Sequence, residues 1–224
     1  MSKWSINHDI DIRFSTSVAR SPRVLDVSQA FGLELTDNEF VIYDHLKFTT
    51  KSGERIYITG QSGSGKSLIL RELESDYKAA GLRVANIADV ELDNDKPIIE
   101  QVGSSTDEAT KLLQIAGIGD AYLLIRKPTE LSDGQRYRLK VAKLLETNAQ
   151  VWLCDEFGAV LDRTTAKFLA YSIAKVAGKK KITVAIATTH KDLLQDFAPH
   201  LLINKQYACE LQMQRYSDEW YEDY

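Results

Sequence analysis

At 224 residues and a formal net charge of −4, the chain is long enough for one sizeable α/β domain and too short for two ordinary ones. Hydrophobic residues make up 44% and charged residues 27%, as in globular proteins that live in water, and the acidic balance speaks against a protein that coats duplex DNA with a basic surface. No apolar run approaches the ~20 residues that span a bilayer, residues 1–20 lack the apolar core of a signal peptide, and two cysteines make no disulfide framework; the expectation is a cytoplasmic protein with no membrane segment of its own.

In chain order, Ile10, Ile12 and Phe14 alternate as in an edge strand, and a short, mostly apolar stretch follows at 24–32. Phe40 to Tyr43 and Leu46 to Phe48 read as strands, and a turn at 51–54 leads into the apolar strand 55–59. A helix over 66–80 ends at Gly81, a natural C-cap. A second apolar strand is expected at 82–88, helical patterning at 106–115, and a helix from Ser132 to about Glu146. Then come strand 151–154, helix 163–177, the continuous apolar strand 182–187, a short helix at 191–196, and closing strands at 201–203 and 209–213. Cys154 lies inside an apolar strand and reads as a small buried hydrophobe. Strands alternating with helices imply a largely parallel sheet covered on both faces. The whole of 1–224 is read as a single domain, with a helical part at about 97–147 and an aromatic, acidic tail at 216–224 that either frays or docks on a partner.

The most specific motif is Gly60-Gln61-Ser62-Gly63-Ser64-Gly65-Lys66-Ser67, a complete Gly-x-x-x-x-Gly-Lys-Ser phosphate loop. It follows a strand and opens a helix, the arrangement in which backbone N–H groups converge on phosphate oxygens. Lys66 is expected to reach the β- and γ-phosphates and the Ser67 hydroxyl to hold Mg²⁺. The strand 151–154 ends in Asp155 and Glu156, which places both carboxylates at the sheet edge beside the loop. Asp155 is expected to hold Mg²⁺ and Glu156 to act as general base. Ser132 to Gln135 opens a helix with a Ser-x-x-Gln capping box, which serves the helix whatever the function and also offers an anion-binding terminus. His190 ends a buried strand and is expected to contact the γ-phosphate.

The order of these motifs (phosphate loop, Leu-Ser-x-Gly-Gln at 131–135, Asp155-Glu156, Leu161-Asp162, His190) resembles the ATP-binding-cassette (ABC) ATPases over about residues 24–204. The resemblance implies an α/β P-loop fold of ABC type with an N-terminal antiparallel sheet and ATP and Mg²⁺ as ligands. It implies a homodimer that closes head to tail around two ATP molecules. Ser132, Gly134 and Gln135 then act on the partner's ATP, Asp162 sits at the dimer interface, and Phe31 stacks on adenine, with Tyr43 as the weaker alternative and a core role for Phe31 as the bland one.

Several residues depart from the family pattern. Asp133 stands where a Gly is usual, Phe157 where transporters have Pro, and Ala159 where a Ser is common. No Gln follows the strand at 82–88; Asp89 and Glu91 are there, and Gln101 is a distant substitute. The segment between Lys66 and Ser132 is shorter than in transporter cassettes. Residues 130–138 and 155–167 look like a prokaryotic and phage group of soluble ABC-type ATPases often fused to an acetyltransferase domain. The leading expectation is therefore an ATPase serving DNA metabolism, repair or phage biology, with a nucleic acid or soluble protein as partner. Arg136, Arg138, Lys140 and Lys143 form a basic helix that either faces solvent or touches nucleic-acid phosphates. The alternatives are a nucleotide-binding subunit of an ABC transporter and an ATP-gated binding module with little turnover.

Overall fold

A computed structural model describes residues 3–206 and 211–217. Two sheets organise them. Strands β1 (Ser5–Thr16) and β2 (Asn38–Lys51) form a long antiparallel hairpin sheet, joined through helix α1 (Pro22–Phe31). The second sheet has six strands: β3 (Arg55–Gly60), β4 (Val84–Asn86), β5 (Val151–Cys154), β6 (Thr183–Thr188), β7 (Leu201–Lys205) and β8 (Leu211–Arg215). Their order is β4-β5-β6-β3-β7-β8, parallel except for β8, which runs antiparallel to β7.

The continuous apolar strands follow from burial on both faces. Ile56, Ile58, Val151, Leu153, Ala185 and Ala187 face helix α2 (Lys66–Ala79), where Ile69, Leu70, Leu73 and Tyr77 are buried. Their sequence neighbours Tyr57, Trp152, Cys154, Val184 and Ile186 face the opposite core, built from α3 (Thr106–Ile115), α5 (Asp133–Glu146) and α6 (Arg163–Lys180). Between β4 and α5 the chain is mostly turns, with α3, the four-residue α4 (Ala121–Leu124) and short 3₁₀ turns, so the helical region is small. Helix α7 (Leu194–Phe197) leads to β7.

The structure departs from the sequence reading at several places, among them the short helix expected at 191–196, which is α7 at 194–197. The strands expected at 40–43 and 46–48 are one strand, because β2 takes up extra residues as bulges against β1 and His45 turns at φ +46°. The strand expected at 82–88 stops at Asn86, whose side chain accepts a hydrogen bond from the Ala88 N–H and starts a 3₁₀ turn. The closing strand expected at 209–213 is β8, shifted C-terminally; Cys209 and the residues 218–224 of the tail lie outside the described residues. Among the described residues no helix is long and apolar enough to cross a membrane.

Register decides where the chemistry goes. Ile58 pairs with Ala187 and Thr59 with Thr188, while Cys154 pairs with Ile186. The C-terminal ends of β3, β5 and β6 therefore meet at one edge, where open α/β sheets place their ligands.

Candidate active site

The phosphate loop is held from below by close backbone and side-chain contacts. A Cβ on Gly60, at φ +145°, would lie 1.9 Å from the Lys205 carbonyl oxygen on β7. A Cβ on Gly65, at φ +98°, would lie 2.9 Å from Ile42 Cγ2 and 3.2 Å from the Tyr43 hydroxyl oxygen on β2. Only glycine meets both demands, a left-handed backbone and a near-zero gap. The Tyr43 hydroxyl donates to the Gly65 carbonyl at 3.1 Å, so the antiparallel sheet props the loop. Burial pushes the Tyr43 pKa up, which keeps that phenol a donor.

Lys66 opens α2 and turns its ammonium back over the loop, donating to the carbonyls of Gly60 at 3.1 Å and Gln61 at 2.6 Å. An ammonium has three protons, so a third remains for a phosphate. Burial lowers the Lys66 pKa, while the charges of Asp155 and Glu156 act to raise it. The helix N-terminus carries no side-chain cap at Gly65, and the buried Ser64 hydroxyl has no hydrogen-bond partner among the described residues. Orphaned donors at a helix N-terminus suit an anion.

Asp155 and Glu156 leave β5 at the same edge. Glu156 adopts φ +48°, unusual for a residue with a side chain, and its N–H is received by Asp155 Oδ1 at 2.9 Å. Phe157 is buried and its N–H donates to the Ala187 carbonyl at 2.8 Å, which fixes the acids against β6. A cavity of about 440 Å³ is lined by Ser62, Gly63, Gly65, Lys66 and Ser67 from the loop, Asp155 and Glu156 from β5, and Thr188 and Thr189 from β6. The Ser67 hydroxyl and the Asp155 carboxylate are hard oxygen donors on that one cavity and fit Mg²⁺, which takes few protein ligands beside phosphate oxygens.

The remaining sequence-predicted residues sit elsewhere. Phe31 ends α1 with 75% of its surface exposed and lines none of the cavities at the loop, because α1 buries no residue at all. A smaller cavity of about 260 Å³ beside Gly63 and Ser64 is instead walled by Phe40 and Ile42 of β2 with Lys205. In the sequence the Phe40 ring reads as one more alternating strand residue. Gln101 is consumed locally: its Nε2 donates to the carbonyls of Asp93 and Lys96, both at 2.8 Å, and its Oε1 accepts from the Asp93 N–H at 2.9 Å. It belongs to a turn and not to the cleft.

Ser132 caps α5, accepting from the Gln135 N–H at 3.3 Å, while Gln135 Oε1 accepts from the Ser132 N–H at 2.9 Å. A Cβ on Gly134 would sit 3.1 Å from the Val160 carbonyl, so the segment packs on the 158–162 turn. Asp162 caps α6 through the Thr165 N–H at 2.9 Å and hydroxyl at 2.6 Å. Ser132, Gly134, Gln135 and Asp162 do not line the phosphate-loop cavity of their own chain. His190 is half-buried at the end of β6, with its N–H on Thr188 Oγ1 at 3.1 Å and its ring against Arg163. Cys154 is buried beneath the acids and burial pushes its thiol up to about 12, so it is an inert core residue, as its strand context implied.

A parallel sheet with a phosphate loop, an acid pair on the adjacent strand edge and a capped glycine-bearing helix defines a P-loop nucleoside-triphosphatase fold. The ABC transporter family model matches residues 43–159, more than half of the chain, and the chain belongs to that family. It is 25% identical over 214 residues to the methionine import ATP-binding protein MetN of Clostridium tetani, covering 80% of this chain and 65% of that protein. It is 28% identical over 169 residues to the cytochrome c biogenesis ATP-binding export protein CcmA of Zymomonas mobilis, covering 68% and 73%. The chain spans 65%, 58% and 55% of the length of three MetN relatives it matches. The fold matches the dimeric structure of a bacterial ABC transporter cassette, with a TM-score of 0.66 at 16% identity over 94% of this chain and 98% of that one. A post-hydrolysis state of an ATP-binding cassette, bound to ADP and Pi, matches with a TM-score of 0.62 at 18% identity over 82% and 95%.

Proposed function

We propose that this chain is the ATP-binding subunit of an ABC transporter and hydrolyses ATP with Mg²⁺. The observation that carries the reading is the single cavity on which Lys66, Ser67, Asp155 and Glu156 meet the phosphate loop. The loop amides and Lys66 hold the β- and γ-phosphates. Ser67 and Asp155 would hold Mg²⁺, which supplies neutralisation of charge on the transferred phosphoryl group. Glu156 takes a proton from the attacking water as its oxygen bonds to the γ-phosphorus and the bridging P–O bond to ADP breaks. His190 donates to a γ-phosphate oxygen. Phe40, on the small cavity beside Gly63, replaces Phe31 as the aromatic for the adenine.

Ser132, Gly134, Gln135 and Asp162 serve the ATP of a second copy, in keeping with their absence from the cavity of their own chain. The small helical region exposes Tyr122 and Ile125, with Arg126 stacked on Tyr122 at 4.0 Å, and is the surface for a membrane partner. The names of the relatives favour that partner over the nucleic acid expected from the sequence. On the basic helix, Arg136, Arg138 and Lys143 each donate to a backbone carbonyl, those of Leu131, Gly117 and Glu91. Membership of the acetyltransferase-fused or phage group has no observation of its own.

The test is the solution mass of Glu156→Gln with and without MgATP, together with phosphate release by the wild type. A monomer-to-dimer shift and measurable release support the reading. No release from the wild type under any MgATP concentration would sink the ATPase, and a variant that stays monomeric would sink the self-paired clamp.

A further inference from the structure

His190 lies two residues beyond β6, beside the first turn of α6, and Arg163 meets its ring. The Arg163 guanidinium donates from Nη1 to His190 Nδ1 and from Nη2 to Asp192 Oδ1 at 2.8 Å. The backbone of His190 is held as well: its N–H donates to Thr188 Oγ1, which itself donates to the Phe157 carbonyl at 2.8 Å, and the Tyr57 hydroxyl donates to the His190 carbonyl. Arginine has donors only, so a nitrogen that receives its N–H carries no proton. In the neutral ring the proton then sits on Nε2.

We propose that Arg163 is a positioning residue for His190 that locks the imidazole in the Nε2–H tautomer. This deepens the ATPase reading and rests on it. With the lone pair of Nδ1 engaged and Nε2 protonated, the neutral ring has no basic nitrogen to offer a water, and its chemistry toward a phosphate oxygen is donation alone. Glu156 is left as the proton acceptor. Asp192 keeps the guanidinium in place, and because Arg163 directly follows the α6 cap Asp162, the ring geometry is tied to the 158–162 turn.

The experiment uses the full chain with ¹⁵N-labelled histidine, the His190 ring signals being identified by their loss in His190→Ala. The expected result is a protonated Nε2 and an unprotonated Nδ1 in the wild type, and a mixture of tautomers in Arg163→Leu. Turnover in Arg163→Leu should fall on the order of tenfold to a hundredfold, with ATP affinity changed less than about twofold and partial recovery in Arg163→Lys. In a His190→Ala background the same change should cost nothing further. A proton on Nδ1 in the wild type overturns the proposal, and so does an equal loss of turnover from Arg163→Leu in both backgrounds. The ring spectrum is read without turnover, so a protein that hydrolyses no ATP would sink the ATPase reading while the tautomer still judges Arg163.

Discussion

The phosphate loop and the Ser132–Gln135 segment are both glycine-bearing helix starts, and they are built in opposite ways. At α2 the N-cap is Gly65, with no side-chain cap, and the loop is shaped by contacts from β2 and β7 and lines a cavity. At α5 two of the orphan amides are closed by the segment's own side chains, Ser132 on the Gln135 N–H and Gln135 on the Ser132 N–H. One terminus carries no side-chain cap and lines a cavity within its own chain. The other has two of its amides closed by its own capping box, and its glycine packs on the 158–162 turn. Sequence motifs of similar composition therefore mark two different devices, an uncapped helix start and a capped one.

The sharpest way to break the phosphate loop is Gly60→Ala. Its methyl would collide with the Lys205 carbonyl, and a loss of roughly 4 kcal/mol in urea unfolding, with ATP binding abolished, is expected. An alanine protein of wild-type stability would mean that β7 does not clamp the loop. Glu156→Gln should leave ATP binding intact and lower steady-state phosphate release on the order of 10²- to 10⁴-fold; release at the wild-type rate would remove Glu156 as the base. Lys66→Ala deletes a charge-assisted donor worth about 2–3 kcal/mol, so ATP affinity by fluorescence titration should fall on the order of a hundredfold.

Smaller effects are expected at the capped ends. Ser132→Ala should cost about 1 kcal/mol in thermal unfolding and leave ATP binding by the single chain unchanged. A large loss of monomer ATP affinity there would contradict the contrast between the two termini. Thr165 Oγ1 and its N–H hold the Asp162 carboxyl below the usual aspartate range. Its contribution is therefore present above that range and lost as pH falls through the depressed value. Asp162→Asn should flatten this acid limb of the stability profile, and an unchanged limb would show that the α6 cap does not feel the charge.

Much of the cleft was legible because its signals are local. Gly60, Gly65, Lys66 and Ser67 lie in one motif, and Asp155 and Glu156 follow a strand whose apolar run is itself the mark of two-sided burial. The capping box of Ser132 is a short-range pattern of the same kind, whereas the cap at Asp162 emerged from the structure. Phe31 was placed by spacing and Gln101 offered only as a distant substitute, and neither lines the cavities at the loop. Helix α1 buries nothing, so its terminal ring is free of the cleft, while Phe40 reaches the loop through the pairing of β2. Gln101 finds all its partners within eight residues, in a turn that its own side chain closes.

By itself the sequence determined the chemistry of each strand end: which glycines can turn, which carboxylates follow an apolar run, and which hydroxyls cap a helix. These depend on a few neighbouring residues and on side-chain pattern. Tertiary structure alone decided which ends meet. The parallel register that sets Thr59 beside Thr188 and Cys154 beside Ile186 brings loop, acids and His190 to one edge. The same packing lays Tyr43 against Gly65 and Arg163 against His190, contacts between residues distant in the chain that no local pattern encodes.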